Sequence, residues 1–295
     1  MALSIHTNYS SLVTQTNLSK TNNALGTNQQ RLGTGLRINS AADDAAGLQI
    51  ATRLNAQSRG MAVAMRNTND AVSLLQTAEG AFSEMTDIVQ RMKDLATQGA
   101  NGTNSADDLK SLQAEYDQLG EELANIMDNT SYAGEKLFSK DNTSGKFFSA
   151  VTFQIGSTTA ETMKLDLTAA GSDAVQTVTD ALDGMSTVYT AGSAATAGTE
   201  ITGAANATID KVKTALDAIG SLRAQFGATI NRLNHTNNNL ANMKDNTEMA
   251  KGRIMDADFA SESASMTKNS MLLQSGISML KQAGQMPGMV MGLLG

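Results

Sequence analysis

Leucines recur every seven residues at Leu18, Leu25 and Leu32, inside a segment where 16 of the 24 residues from 7 to 30 are Ser, Thr, Asn or Gln. The period is helical, but one leucine per heptad is too narrow a stripe to bury a helix by itself. The segment therefore predicts a helix that needs a partner. From about Asp44 to Gln98 the stripe becomes continuous, with Val72, Leu75, Ala78, Phe82, Met85, Val89, Met92 and Ala96 stepping by three or four. That spacing is close to a left-handed coiled-coil repeat. Gly99 to Ser105, centred on Asn101-Gly102, predicts a turn, because these residues tolerate positive φ. Leu109, Leu112, Tyr116, Leu119, Leu123 and Ile126 then form an unbroken heptad run, and the short turn makes this helix an antiparallel neighbour of the preceding one.

Between Phe147 and Leu167 the period changes to two. FFSAVTFQIG and ETMKLDL alternate apolar with polar across Gly156-Ser157-Thr158-Thr159, which predicts a β-hairpin. Residues 170–207 hold one short amphipathic piece and then TAGSAATAGTEITGAAN, a low-complexity stretch predicted to be an exposed loop. Heptads return with Ile209, Val212, Leu216, Ile219, Leu222, Phe226, Ile230, Leu233 and Leu240, in a helix extending towards Phe259. Asn237 falls in that seam, where a polar residue is expected to fix register. Met266, Leu273, Ile277, Leu280 and Ala283 then continue a narrow stripe that mirrors the amino-terminal one.

Composition sharpens this picture. One proline in 295 residues leaves long helices uninterrupted. Zero cysteines exclude disulfides and thiolate chemistry, and His6 and His235 form no pair at zinc-ligand spacing. The net charge of −7 is unevenly spread, because all 29 carboxylates lie between Asp43 and Glu262. The first 42 residues carry only Lys20, Arg31 and Arg37, and the last 33 only Lys268 and Lys281. An acidic chain without a basic cluster is unsuited to nucleic acid. The first residues lack a basic n-region and apolar h-region, so no cleaved signal is expected. Met271 to Gly295 is apolar but broken by Gln274, Lys281, Gln282, Gln285 and Pro287, short of a membrane span.

Both terminal stripes are too weak to repay ordering entropy in isolation. The arms are therefore expected to order only on meeting each other or neighbouring copies, through Leu18, Leu25, Leu32, Met266, Leu273, Ile277 and Leu280. Six of the 17 methionines follow Phe259, and flexible thioethers suit an adjustable helix interface. Absence of carboxylates fits crowding of many copies, where buried unpaired charge is costly.

Residues 35–81, GLRINSAADDAAGLQIATRLNAQSRGMAVAMRNTNDAVSLLQTAEGA, resemble the amino-terminal region of bacterial flagellins. Residues 221–262, SLRAQFGATINRLNHTNNNLANMKDNTEMAKGRIMDADFASE, resemble the matching carboxy-terminal region. The resemblance covers roughly residues 1–170 and 207–295. It implies a mainly α fold, a coiled-coil-like helical rod with a small β-hairpin, built as arm 1–42, rod and hairpin 43–170, variable surface region 171–206, rod helix 207–255 and arm 256–295. It further implies a structural subunit polymerising into an extracellular filament used for motility, without cofactor. Type III export, a chaperone shielding the carboxy-terminal arm, and junction and cap proteins as partners also follow. The short middle resembles a minimal flagellin of the lateral type, while the tail QAGQMPGMVMGLLG departs from the commoner family ending. QRMKDLATQ with Arg91 and Leu95, and Glu115 in LQAEY, match the flagellin surface bound by Toll-like receptor 5.

Other motifs read more plainly. Ser40-Ala41-Ala42-Asp43 fits a helix capping box rather than acid–base chemistry. Gly33-Thr34-Gly35 lacks the third glycine of a dinucleotide fingerprint and predicts a flexible joint. Without H-E-x-x-H there is no sign of an inserted protease. A hook–filament junction protein and a secreted monomeric binding module remain the alternative readings.

Overall fold

The computed structural model describes residues 8–140, 144–167, 173–191 and 198–294. Contacts divide the chain into two compact units, residues 1–58 with 245–295, and residues 59–244. The chain order is α1 (Tyr9–Thr34), α2 (Ala45–Gly99), α3 (Ala106–Asn129), β1 (Ser131–Tyr132), β2 (Glu135–Lys136), a 3-10 turn (Lys146–Phe148), β3 (Val151–Gln154), β4 (Thr162–Leu165), α4 (Ala174–Met185), α5 (Thr187–Ala191), α6 (Glu200–Met255) and α7 (Phe259–Leu294). The fold is mainly α, as the heptads predict.

Helix ends fall where the sequence supplies partners. The Asn8 side chain accepts from the Ser11 N–H at 3.1 Å and caps α1. Gly35, at φ +72°, closes α1 by donating its N–H to the Arg31 carbonyl at 2.8 Å, a left-handed cap that glycine adopts without strain. Ser105 and Asp108 satisfy one another's N–H groups at the start of α3. The expected box at Ser40 and Asp43 is displaced. Asp43 accepts from the N–H groups of Ser40 and Asn39 at 2.9 and 3.0 Å in a turn before α2, and these bonds hold its carboxyl below the usual range. Asp44 caps α2 instead, accepting from Gly47 N–H at 2.8 Å. Buried Ile38 sits against Gly47, where a Cβ would collide with it, so the chain turns tightly before the helix starts.

In the unit formed by 59–244, α2, α3 and α6 supply one core. Four phenylalanines meet there from distant parts of the chain. Phe82 on α2 lies 4.9 Å edge-to-face from Phe138 and 6.0 Å from Phe226 on α6, and Phe147 packs 5.4 Å from both Phe138 and Phe226. Such ring pairs add to the area they bury. Polar contacts fix how α2 and α6 meet: Arg223 donates to Glu79 at 2.8 Å, and the seam residue Asn237 donates to Asn69 at 2.6 Å. The Asn69–Asn237 pair lies at the exposed edge of that seam, where the expected polar seam residue meets its partner.

β3 and β4 form the predicted antiparallel hairpin, with Val151 opposite Leu165 and Gln154 opposite Thr162. The sequence reading missed a smaller hairpin, β1–β2, closed by Ala133 and Gly134 at φ +52° and +85°. Two positive φ values in a two-residue connection match the twist of the flanking strands.

The segment expected to be an exposed loop requires correction. The short amphipathic piece before it is α4, whose Val175, Val178, Leu182 and Met185 are buried, but α6 begins at Glu200, inside that segment, rather than near Ile209. Ile201 is the reason. It is buried against Gly99, the last residue of α2, where any side chain would overlap its Cγ2. A non-helical Ala204, at φ −154° and ψ 47°, kinks α6, and the Thr208 hydroxyl satisfies the Glu200 carbonyl at 2.9 Å. Residues 192–197 of that stretch lie outside the described residues.

Gln113, Tyr116 and Asp117 on one face of α3 anchor this segment. The Gln113 amide donates to Asp117 and Glu200 at 2.8 Å each, and its carbonyl accepts from Ile201 N–H at 2.7 Å. Asp117 accepts from Gly198 N–H at 3.0 Å, and the Tyr116 hydroxyl donates to the Met185 carbonyl at 2.8 Å. Burial raises the Glu200 carboxyl, but the N–H and hydroxyl of Thr187 and the Gln113 amide outweigh it, leaving it below its ordinary 4.5. Burial, with Glu200 and Asp117 nearby, pushes the Tyr116 hydroxyl upward.

Two outcomes follow. Phe226→Ala should lower stability by about 3–5 kcal/mol through the cavity left among three rings, read as a denaturant midpoint shift in the full chain. Because the folded Glu200 carboxyl sits below 4.5, its contribution is present above that pH and is lost as pH falls through the folded value. Chemical denaturation between pH 6 and about pH 3 should therefore show a smaller acid loss for Glu200→Gln than for the unaltered chain.

Candidate self-association surface

The terminal stripes face each other. α1 and α7 run antiparallel, tied at one end by Asn8, which donates to the Ala283 carbonyl at 2.7 Å, and at the other by Arg31, which donates to Glu262 at 3.0 Å. Midway, Leu18 fits against Gly276, where a Cβ would lie 3.0 Å from its Cδ1. Leu18, Leu25, Leu32, Met266, Leu273 and Leu280 are all half-buried along this seam.

The alternate heptad position explains why the stripes read as narrow. In α1 it holds Thr14, Thr21 and Asn28, and in α7 it holds Glu262, Asn269, Gly276 and Ala283. Apolar residues grip while small and polar ones set distance and register. Asn28, with its amide nitrogen turned to Ala24 O and Glu262 Oε2 at 3.1 and 3.3 Å, accepts from Asn269 Nδ2 at 3.2 Å. Glu262 is the last carboxylate of the chain and is only 14% exposed. Its two donors keep that charge from being buried unpaired.

The two arm-to-helix junctions also clasp one another. Leu36 bridges antiparallel to Asp256, Arg37 N–H donates to the Met255 carbonyl at 2.6 Å, and Ala257 N–H donates to the Gly35 carbonyl at 3.0 Å. The Arg37 guanidinium adds a bond to the Ile254 carbonyl at 2.7 Å. The glycines expected to make a flexible joint thus form a helix cap followed by a backbone clasp.

Pairing does not consume the apolar residues of the arms. Tyr9, Leu12 and Val13 on α1 are exposed, as are Phe259, Met271, Leu272 and Met279 on α7. Sequence reasoning passed over this second set, although adjacent pairs signalled it. Leu12-Val13 and Leu272-Leu273 cannot both place two side chains in one seam when successive residues turn by about 100°. Ile277, assigned to the stripe, is 41% exposed at its margin and belongs with the outward set. α1 carries no carboxylate, and α7 carries none after Glu262.

The three residues matched to a receptor surface separate. Arg91 donates to Glu115 at 2.8 Å through Nε and 2.6 Å through Nη2, and both side chains are about half exposed. Leu95 is 1% exposed in the core, so as folded it offers no contact to a partner. It lies on the α2 face that continues from Met92, and burial of that face takes it inside. Among the described residues, no three of His, Cys, Asp and Glu gather to hold a metal, and no helix is long and apolar enough to cross a membrane.

The family model for the bacterial flagellin N-terminal helical region matches residues 5–143, and that for the C-terminal helical region matches residues 209–294. Flagellin A of Vibrio anguillarum is 35% identical over 385 aligned residues covering 100% of both chains. Polar flagellin C of Vibrio parahaemolyticus is 34% identical over 390, again with 100% of both covered. Among solved structures, a Bacillus cereus flagellin aligns over 59% of this chain and 88% of its own at 32% identity and a TM-score of 0.44. A putative flagellar hook-associated protein from Vibrio parahaemolyticus aligns over 72% of this chain and 100% of its own, at 14% identity and a TM-score of 0.53, a likeness of fold.

A bulky residue in the arm seam should separate α1 from α7. Gly276→Val places methyl groups into Leu18, and hydrogen exchange on the full chain should lose protection in both arms together while the 59–244 unit keeps its own. Protection retained in α1 would contradict the seam.

Proposed function

We propose, for a chain that belongs to the bacterial flagellin family, that the exposed apolar residues of α1 and α7 are the surface through which copies assemble. The chain is a structural subunit of the extracellular flagellar filament used for motility, and it is not an enzyme. The observation that carries the surface is the second apolar set, Tyr9, Leu12, Val13, Phe259, Met271, Leu272, Ile277 and Met279, on helices almost free of charge. Exposed patches of this kind mark association sites. The stripe residues Leu18, Leu25, Leu32, Met266, Leu273 and Leu280 then act at one remove, by joining the arms into one element that presents that surface.

In this reading the arms 1–42 and 256–295 form the inner part of the filament, 43–170 and 207–255 its surrounding helices, and 171–206 a short outer region. Relatives aligned over 385 positions, against the 295 here, support a reduced outer part. Before assembly the apolar side of α7 needs cover, which an export chaperone supplies, and junction and cap proteins meet the same terminal surfaces at the filament ends. The exposed Arg91–Glu115 pair is the accessible part of a Toll-like receptor 5 surface, with Leu95 supporting it from beneath.

Leu12→Glu combined with Leu272→Glu should abolish elongation from filament seeds, scored by sedimentation and electron microscopy, while circular dichroism of the unassembled chain stays unchanged. Elongation at the normal rate would refute the assembly surface. In a receptor reporter assay, Arg91→Ala with Glu115→Ala should lower signalling without altering thermal stability by more than about 1 kcal/mol, as expected for an exposed ion pair.

A further inference from the structure

The described methionines differ widely in exposure, and outside α7 Met249 and Met243 on α6 are 55% and 38% exposed. Met61, Met85, Met92, Met127, Met163 and Met185 are at most 5% exposed in the 59–244 unit. Met271 and Met279 on α7 are 61% and 59% exposed, beside Leu272, on the surface assigned above to contacts between copies. Met279 lies seven residues beyond Leu272, so the two share one flank of the helix. A thioether in water is open to two-electron oxidants, and oxidation replaces an apolar group with a polar, chiral one.

We propose that Met271 and Met279 form an oxidation-sensitive site that decides whether the unassembled chain can join a filament, a reading that rests on the assembly surface just described. The oxidant class is a peroxide. A lone pair of Sδ attacks the terminal peroxide oxygen, the O–O bond breaks, an S=O bond forms, and the released hydroxide takes the proton to leave as water. Sulfur is oxidised by two electrons and peroxide is reduced by two. The sulfoxide oxygen is a strong acceptor set among the exposed apolar side chains Leu272, Ile277, Leu12 and Val13. Burial between copies would strip that acceptor of water and replace an apolar contact with a polar one. Once assembled, the same burial excludes the oxidant, so sensitivity belongs to the free chain and the filament is protected.

The test treats full-length free chain and preformed filaments of the same chain with equal dilute hydrogen peroxide. Sulfoxide at each methionine is measured by peptide mass spectrometry, and seeded elongation of the treated free chain is measured alongside. In the free chain Met271 and Met279 should oxidise well ahead of Met85 and Met92, and elongation should fall roughly tenfold or more. In the filament both should be protected. A Met271→Leu, Met279→Leu variant keeps the volume and apolar character, and whatever its own rate of elongation, that rate should be the same before and after peroxide. Protection in the filament with undiminished elongation of the oxidised chain would overturn the oxidation proposal while leaving the surface intact. Equal oxidation of the two residues in free chain and filament would overturn the surface itself. A variant that elongates yet stays as peroxide-sensitive as the original chain would assign the effect to other methionines and refute the site.

Discussion

A helix carrying one large apolar residue per heptad cannot stand alone, and that constraint governs both ends of this chain. Leu18, Leu25 and Leu32 bury too little to offset the entropy of ordering α1, and Leu273 and Leu280 do no more for α7. Set antiparallel, each stripe gives the other the surface it lacks. The alternate positions make the match specific: Gly276 admits Leu18, and Asn28 with Arg31 receives Glu262. Because the pair uses only one side of each helix, Leu12, Met271 and Leu272 remain in water. The pairing that completes the arms thus leaves them unfinished towards other copies.

The 59–244 unit solves the opposite problem. Its helices have enough apolar residues, and what they lack is a fixed relation to one another. The four-ring cluster of Phe82, Phe138, Phe147 and Phe226 draws on two helices and the segment after β2, so no local stretch can be removed without opening it. Polar groups then select one register, through Asn69 with Asn237 and Glu79 with Arg223. Gln113 does the same for the short outer segment, because its one amide serves Asp117, Glu200 and the first free N–H of α6. Buried polar networks that are fully satisfied define a unique arrangement more than they add stability.

Much of this was legible in the heptads, and what escaped has physical causes. Periodicity located α2, α3 and the long run of α6, since those signals repeat over many turns. It also found the β3–β4 hairpin, where the period drops to two. It missed the start of α6, because a single residue, Ile201, carries the burial and the surrounding Ala, Gly and Thr look like linker. It missed β1–β2 because Ala133 replaces the Asn or Gly that announces such a turn. Leu95 was placed on a surface by resemblance, although its spacing from Met92 and Val89 puts it on the buried face. The outward set on the arms was hidden by the stripe itself, since attention to period selects the residues that face a partner within the chain and discards their neighbours.

Charge placement joins the two halves of the argument. Ending the carboxylates at Glu262 leaves the arms nearly neutral, and Glu262 itself is neutralised by Arg31 at 3.0 Å. Association through such arms incurs little desolvation of charge. The acidic residues between them repel like residues on approaching copies, a long-range effect that falls within about 10 Å at 0.1 M salt. Added kosmotropic salt acts on both contributions in the same direction, screening the repulsion and strengthening apolar burial. On the proposed assembly surface, such a chain is expected to stay dispersed when dilute at low ionic strength and to associate as salt rises. The control lies in where the carboxylates stop.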